Sequence, residues 1–138
     1  EMRAALKNPL DEAFMPTMEK MSQGTPGGSY TTSKLAVIEM VKDLAWAWGE
    51  KGARLNSISP GTIDTAMGRQ EKEESQQMAV LLAHTPLRRE GDADEIAKAV
   101  EFLLSDAASY VTGTDLLVDG GTIANMPRMS QAMQQNQQ

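Results

Sequence analysis

Tyr30-Thr31-Thr32-Ser33-Lys34 is the stretch whose residue types and spacing can do chemistry. The break Gly24-Thr25-Pro26-Gly27-Gly28-Ser29 precedes it and an apolar-periodic run succeeds it, so the pentapeptide is expected at the first turn of a helix. Residues four apart on a helix lie one above the other on the same face, which brings the Tyr30 phenol beside the Lys34 ammonium. A cation that close favours the phenolate. A phenol so placed can protonate a carbonyl oxygen or take the proton of an alcohol. The plainer reading of the pair is a half-buried Tyr and a solvated Lys. The order of the residues carboxyl-terminal to the pair favours the chemical one.

The second stretch is Pro60-Gly61-Thr62-Ile63-Asp64-Thr65, placed after a short strand-like run. Ligands of a parallel sheet bind beyond the carboxyl ends of its strands. Backbone groups in such a loop, with the Thr62 and Thr65 hydroxyls, can grip an amide-bearing ligand. Taken alone, Pro-Gly is an ordinary turn. His84, the single His, reads as a helix-end or surface residue rather than a catalyst.

Composition narrows the field. The 138 residues fit one domain, and 41% hydrophobic content suffices for a core. Aromatics make up only 4%, so aliphatic residues and ten Met must fill that core. Thirteen Lys and Arg against nineteen Asp and Glu give a net charge of -6, which argues against nucleic acid. No basic amphipathic stretch, membrane-length apolar run or signal-peptide pattern is present, so no membrane is expected and a cytoplasmic location is. With no Cys and one His, neither a disulfide framework nor a His- or thiolate-based metal site is expected.

Periodicity gives the elements that must position the two stretches. Met2, Leu6, Leu10, Phe14, Met18 and Met21 recur at helical spacing, so residues 1–21 form one or two short helices, with Pro9 and Pro16 as interruptions. This Met-rich stripe is a packing face. Ser29 is the expected N-cap of a helix over 30–48, whose apolar residues (Leu35, Val37, Ile38, Met40, Val41, Leu44, Trp48) spread far enough for burial on more than one side. Gly49 or Gly52 ends it with a left-handed turn. Residues 53–59 read as a strand, and 66–86 as a lid of one or two short helices with a solvated charge run, Glu71-Lys72-Glu73-Glu74. Asp92 and Glu95 form a capping box for a helix to about Ser105, buried through Ile96, Ala99, Val100, Leu103 and Leu104. Residues 114–118 form a last strand, closed by Asp119-Gly120-Gly121. Beyond Thr122 regularity is lost, and 129–138, with five Gln, has a disordered composition. The fold class is therefore α/β.

These residues carry a family resemblance in their order. After the Tyr-x-x-x-Lys pair come Trp48-Gly49-x-Lys51-Gly52 and Arg54-Leu55-Asn56-x-Ile58-x-Pro60-Gly61-x-Ile63-x-Thr65. Then come Pro86-Leu87-x-Arg89-x-Gly91, Glu95-Ile96-Ala97, Phe102-Leu103, Thr112-Gly113 and Val118-Asp119-Gly120-Gly121. Over residues 29–121 the chain resembles the carboxyl-terminal half of a short-chain dehydrogenase/reductase, most like the bacterial 3-alpha-hydroxysteroid dehydrogenase/carbonyl reductase type. The resemblance implies part of a Rossmann-type doubly wound parallel sheet whose amino-terminal strands lie outside this chain. It implies residues 1–28 as a helical insertion before the catalytic Tyr, 29–126 as the dehydrogenase half and 127–138 as a polar tail.

By the same resemblance, Tyr30 would be the general acid/base. Lys34 would favour the phenolate and hold the nicotinamide ribose. Pro60, Gly61, Ile63 and Thr65 would shape the pocket for the nicotinamide of NAD or NADP, with the Ile63 backbone meeting its carboxamide. Asn56 would be structural. A small carbonyl or alcohol compound would be the substrate, and an apolar lid (Met67, Met78, Val80, Leu81, Leu82) suggests a steroid or aromatic ketone. The partner would be a second copy of the chain or a missing amino-terminal half. The family's Gly-rich nucleotide loop is absent, as is the catalytic Asn, and no Ser comes after a strand-like run. Thr17, Ser22 and Ser29 are the available hydroxyls. The chain is then expected to be the carboxyl-terminal portion of a longer protein. The alternative is a truncated, non-enzymatic fragment acting through helix-mediated self-association or partner binding.

Overall fold

A computed structural model describes residues 2–66, 69 and 76–135. The charge run at 71–74 and Met67 lie outside the described residues, and the Met78 side chain is not described. The chain forms two compact units, Glu1–Ser57 with Ser109–Asp115 and Ile58–Ala108 with Leu116–Gln138.

The first unit holds three helices: α1 (Met2–Lys7), α2 (Phe14–Ser22) and α3 (Pro26–Gly49). Pro16 falls in the first turn of α2, where a missing N–H costs nothing, so it does not interrupt the helix. Gln23 (φ 54°) and Gly24 (φ 64°) reverse the chain in left-handed conformations. Thr25, not Ser29, caps α3: its hydroxyl accepts from Gly28 N at 3.0 Å, and Pro26 takes the first helical position. Tyr30 therefore lies in the second turn rather than the first. Gly28 is required where it stands, because a Cβ there would lie 1.9 Å from Ser22 O. Arg3 of α1 pairs with Glu39 and holds α1 on α3, and Lys42 pairs with the same carboxylate within α3. After α3, Glu50 is still helical, and Gly52 (φ 72°) supplies the left-handed turn, with Ala53 N bonding Trp48 O at 3.0 Å.

Burial of α3 on more than one side is not observed. Only Thr32 and Val41 are buried on this helix, while Leu35, Val37, Met40, Leu44 and Trp48 are exposed. The apolar spread marks the surface this helix offers, not one that the described residues cover.

The expected strand at 53–59 forms as β1 (Ser57–Pro60). Residues 53–56 are diverted into loop contacts: Gly113 N bonds Leu55 O at 2.7 Å and Leu55 N bonds the Thr112 hydroxyl at 3.1 Å. The last strand forms as β2 (Asp115–Val118). The bonds Ser57 N to Thr114 O and Gly61 N to Val118 O advance together along both strands, so the pair is parallel.

In the second unit a parallel bridge joins Ile63 to Gly91. Helix α4 (Gln76–His84) occupies part of the expected lid. Helix α5 (Ala93–Leu104) begins with the expected capping box, Asp92 accepting from Asp94 N at 2.9 Å and Glu95 from Asp92 N at 2.8 Å. Its stripe is narrower than expected. Leu103 is buried, but Val100 is exposed and Leu104 is 77% exposed. A 3-10 turn (Asp106–Ala108) leads toward β2.

From Thr122 to Gln135 the chain is regular. Helix α6 (Thr122–Gln135) runs through most of the expected polar tail, with Pro127 inside it. Asp119 starts it, one carboxylate oxygen accepting from Gly121 N and the other from Ile123 N, each at 2.8 Å. A buried contact, Thr85 Oγ1 to Thr122 Oγ1 at 2.8 Å, and Asn125 Nδ2 donating to His84 O at 2.7 Å, tie α6 to the end of α4. Gln is a good helix former, so this composition, once anchored at its amino end, supports a helix.

Candidate active site

On α3 the expected pair is formed. Lys34 Nζ lies 5.3 Å from the centroid of the Tyr30 ring, one turn further along the helix. At this range the ammonium is attracted to the ring face and places its charge beside the phenol. Tyr30 is 66% exposed, so the phenol is open to a ligand. The turns around it are braced by short bonds to the backbone, Thr31 Oγ1 to Gly27 O at 3.0 Å and Ser33 Oγ to Tyr30 O at 2.7 Å. Thr17, Ser22 and Ser29 all lie on helices, none of them after a strand. Ser22 is buried and donates to Glu19 O at 3.0 Å.

In the second unit the loop after β1 is shaped by two close approaches. A Cβ on Gly61 would lie 2.6 Å from Asp119 Cα, and one on Gly91 would lie 2.7 Å from Ile63 Cδ1. The bridge between Ile63 and Gly91 is made by the groups on either side of Ile63: Gly91 N bonds Thr62 O and Asp64 N bonds Gly91 O, both at 2.9 Å. The N–H and C=O of Ile63 itself point the opposite way and make no hydrogen bond among the described residues. Two small cavities of about 20 and 60 Å3 adjoin Ile63, and Arg89 lines both. Neither has the volume of a whole ligand pocket. Pro60 is exposed, and Thr65 O accepts from Arg69 N at 2.9 Å.

Arg89 meets Glu95 in a bidentate pair, 2.7 Å on both sides. The Arg89 hydrogen bond, then that from Asp92 N, holds the Glu95 carboxyl down at about 2 against the opposing effect of burial. This pair fixes the loop that carries Gly91, and so the bridge to Ile63.

Asn56 is structural. Its amide donates to Val111 O at 2.9 Å and its carbonyl accepts from Thr114 N at 3.2 Å, which clamps the two loops before the strands. His84 ends α4 with Nδ1 2.8 Å from Val80 O. Among the described residues no cluster of His, Asp or Glu could hold a metal ion, and no helix is long and apolar enough to cross a membrane. Sequence reasoning misses Gly28 and Thr25 at the turn before α3. The signal present is Thr-Pro with Gly after it, which is an N-cap and first-turn pattern as well as a loop pattern.

Known proteins resemble this chain in sequence and in fold. Residues 15–122 match the family model described as Enoyl-(Acyl carrier protein) reductase. The chain is 43% identical over 102 residues to short-chain dehydrogenase/reductase bsc3 of Alternaria brassicicola, covering 72% of this chain and 37% of that protein. Its fold is similar to a short-chain type dehydrogenase/reductase from Mycobacterium ulcerans (39% identity, TM-score 0.64), over 71% of this chain and 36% of that one. It is also similar to a 4-hydroxyisoleucine dehydrogenase complexed with NADH (31% identity, TM-score 0.62), over 71% and 40%. The chain thus spans 32% to 37% of the length of the relatives that it matches first, and the parallel strands fit part of their Rossmann-type sheet. A Tyr and Lys one turn apart, a Pro-Gly loop after a parallel strand and a match over most of its length place this chain in the short-chain dehydrogenase/reductase family.

Proposed function

We propose that this chain carries the proton-transfer residues and the carboxamide-facing loop of an oxidoreductase that uses NAD or NADP to interconvert a secondary alcohol and a ketone. The observation that carries the reading is the Lys34 ammonium held 5.3 Å from the ring of an exposed Tyr30. Tyr30 gives its phenolic proton to the oxygen of a ketone, or takes it from an alcohol in the reverse direction. Lys34 balances the charge left on the phenolate and offers its remaining donors to a ribose hydroxyl. The Ile63 N–H and C=O, without a partner among the described residues, fit a carboxamide, which needs one donor and one acceptor. Gly61 and Pro60 hold that edge open, and the Thr65 hydroxyl is the further polar group in reach of the same loop. A bound nicotinamide would supply or accept the hydride.

The substrate in this reading is a hydrophobic carbonyl compound of the steroid or aromatic-ketone kind, in keeping with the resemblance to hydroxysteroid dehydrogenases/carbonyl reductases. In support, Val80 is exposed on α4 beside half-buried Leu81 and Leu82. The exposed Leu35, Leu44 and Trp48 of α3 are read as covered by a second copy of the chain. Tyr30→Phe tests the reading. Ketone reduction by the active protein is expected to fall by about a thousandfold, with the affinity for NADH or NADPH kept within about two-fold. Normal turnover in this variant would remove Tyr30 from the mechanism.

A further inference from the structure

We infer that the groove between α1, α2 and α3 binds a neutral, apolar small molecule bearing one hydrogen-bonding oxygen. The groove has a volume of about 570 Å3, within the range of drug-sized ligand sites. Leu6, Phe14, Met18 and Met40 supply its apolar wall. Flexible Met side chains adapt such a wall to more than one ring or chain shape. The lone charge in the lining is that of Glu19, which disfavours carboxylate- or phosphate-ended ligands.

The polar requirement comes from Thr32, which lines the groove and is only 8% exposed. Its neighbours satisfy their hydroxyls on the preceding turn, Thr31 on Gly27 O and Ser33 on Tyr30 O. Ser22, buried on the opposite wall, bonds Glu19 O. The Thr32 hydroxyl makes no hydrogen bond among the described residues. A ligand that shuts this hydroxyl off from water is penalised unless it brings a partner, and an oxygen on the ligand supplies one. Ser29, the remaining hydroxyl of the lining, is exposed to water, so Thr32 is the buried hydroxyl without a partner among the described residues, and it orients a ligand that has a single oxygen and is otherwise hydrocarbon.

Tyr30 and Lys34 are not in the lining. They lie on the adjoining stripe of α3, turned by about 100° at 3.6 residues per turn. Binding here therefore stands without the redox reading, and Tyr30→Phe is expected to leave it unchanged.

The test titrates the 138-residue chain with prodan, a naphthalene ketone whose emission reports polarity, and with its carbonyl-free parent dimethylaminonaphthalene. Saturable blue-shifted emission with both probes is expected. Thr32→Val, nearly isosteric, should weaken the ketone about five-fold, the size of one hydrogen bond, and leave the carbonyl-free parent unaffected. Ala36→Phe, which fills the groove floor, should abolish both. Absence of saturable binding, an unchanged ketone affinity in Thr32→Val, or a parallel loss of both probes in that variant overturns the proposal. If Ala36→Phe fails to fold, the Thr32→Val comparison decides the matter alone.

Discussion

Gly61 is a residue whose identity is set by one contact. A side chain there would begin 2.6 Å from Asp119 Cα and 2.8 Å from Asp119 Cβ, which backbone and β-carbon cannot vacate. Gly27 and Gly49, by contrast, have nothing within 4 Å. Gly61→Ala is expected to destabilise the protein by about 1–3 kcal/mol, the usual cost of overpacking. It should also displace the loop that ends in Ile63, so a lowered urea midpoint is expected together with weaker NAD or NADP binding. An unchanged midpoint would mean that the two backbone segments have room to part. The Tyr30–Lys34 pair is legible in the sequence because helical spacing alone brings the two side chains together. Gly61 is legible as a residue of the second stretch, but the Asp119 contact that demands it is not, and neither are Gly28 and the Thr32 hydroxyl without a partner among the described residues, because each depends on what a second segment places opposite it.

Two elements are fastened by carboxylates that acid will release. Glu39 holds α1 through Arg3 and braces Lys42, and Glu95 holds the start of α5 through Arg89 and Asp92 N. Both carboxyls fall from the ordinary 4.5 to about 2, chiefly because these donors bond the ionised form. A lowered folded-state value means stabilisation that is complete above the ordinary value and is lost as pH falls toward the lowered one. Between about pH 4.5 and 2, the protection of amides at α1 and at the first turn of α5, measured against the intrinsic exchange rate at each pH, should therefore fall. Glu39→Gln should remove that response at α1 alone, and Glu95→Gln at α5 alone. The pairs are exposed, so salt should shrink both effects. Protection of α1 that does not change across this range would show that the clasp is idle.

The α5 cap is legible because Asp-x-x-Glu ahead of an apolar run has one local meaning. The start of α3 misleads because Thr-Pro-Gly-Gly looks like a loop while serving as a cap and first turn. Helix α6 misleads because Gly-Gly ahead of Gln-rich sequence resembles a tail. Asp119 and the Thr85–Thr122 contact, which anchor it, are long-range or turn-specific. Burial on α3 and α5 falls short of expectation because periodicity gives the width of an apolar face and not what lies against it.

At the scale of the whole chain, surface is the dominant fact. Among the described residues no large side chain is fully buried; Trp46, Trp48, Leu44 and Met40 all remain in contact with solvent. Heat capacity registers this directly. Unfolding hydrates apolar surface and raises the heat capacity by roughly 12–15 cal/mol/K per residue in ordinary domains. A chain that has already wetted so much of its apolar surface has little left to hydrate. Calorimetry of the dilute chain is expected to give an increment well below that figure and a broad endotherm. At higher protein concentration, if copies cover one another, the increment should grow and the midpoint climb. A sharp, concentration-independent transition with a full increment would mean that the interior is already closed to water.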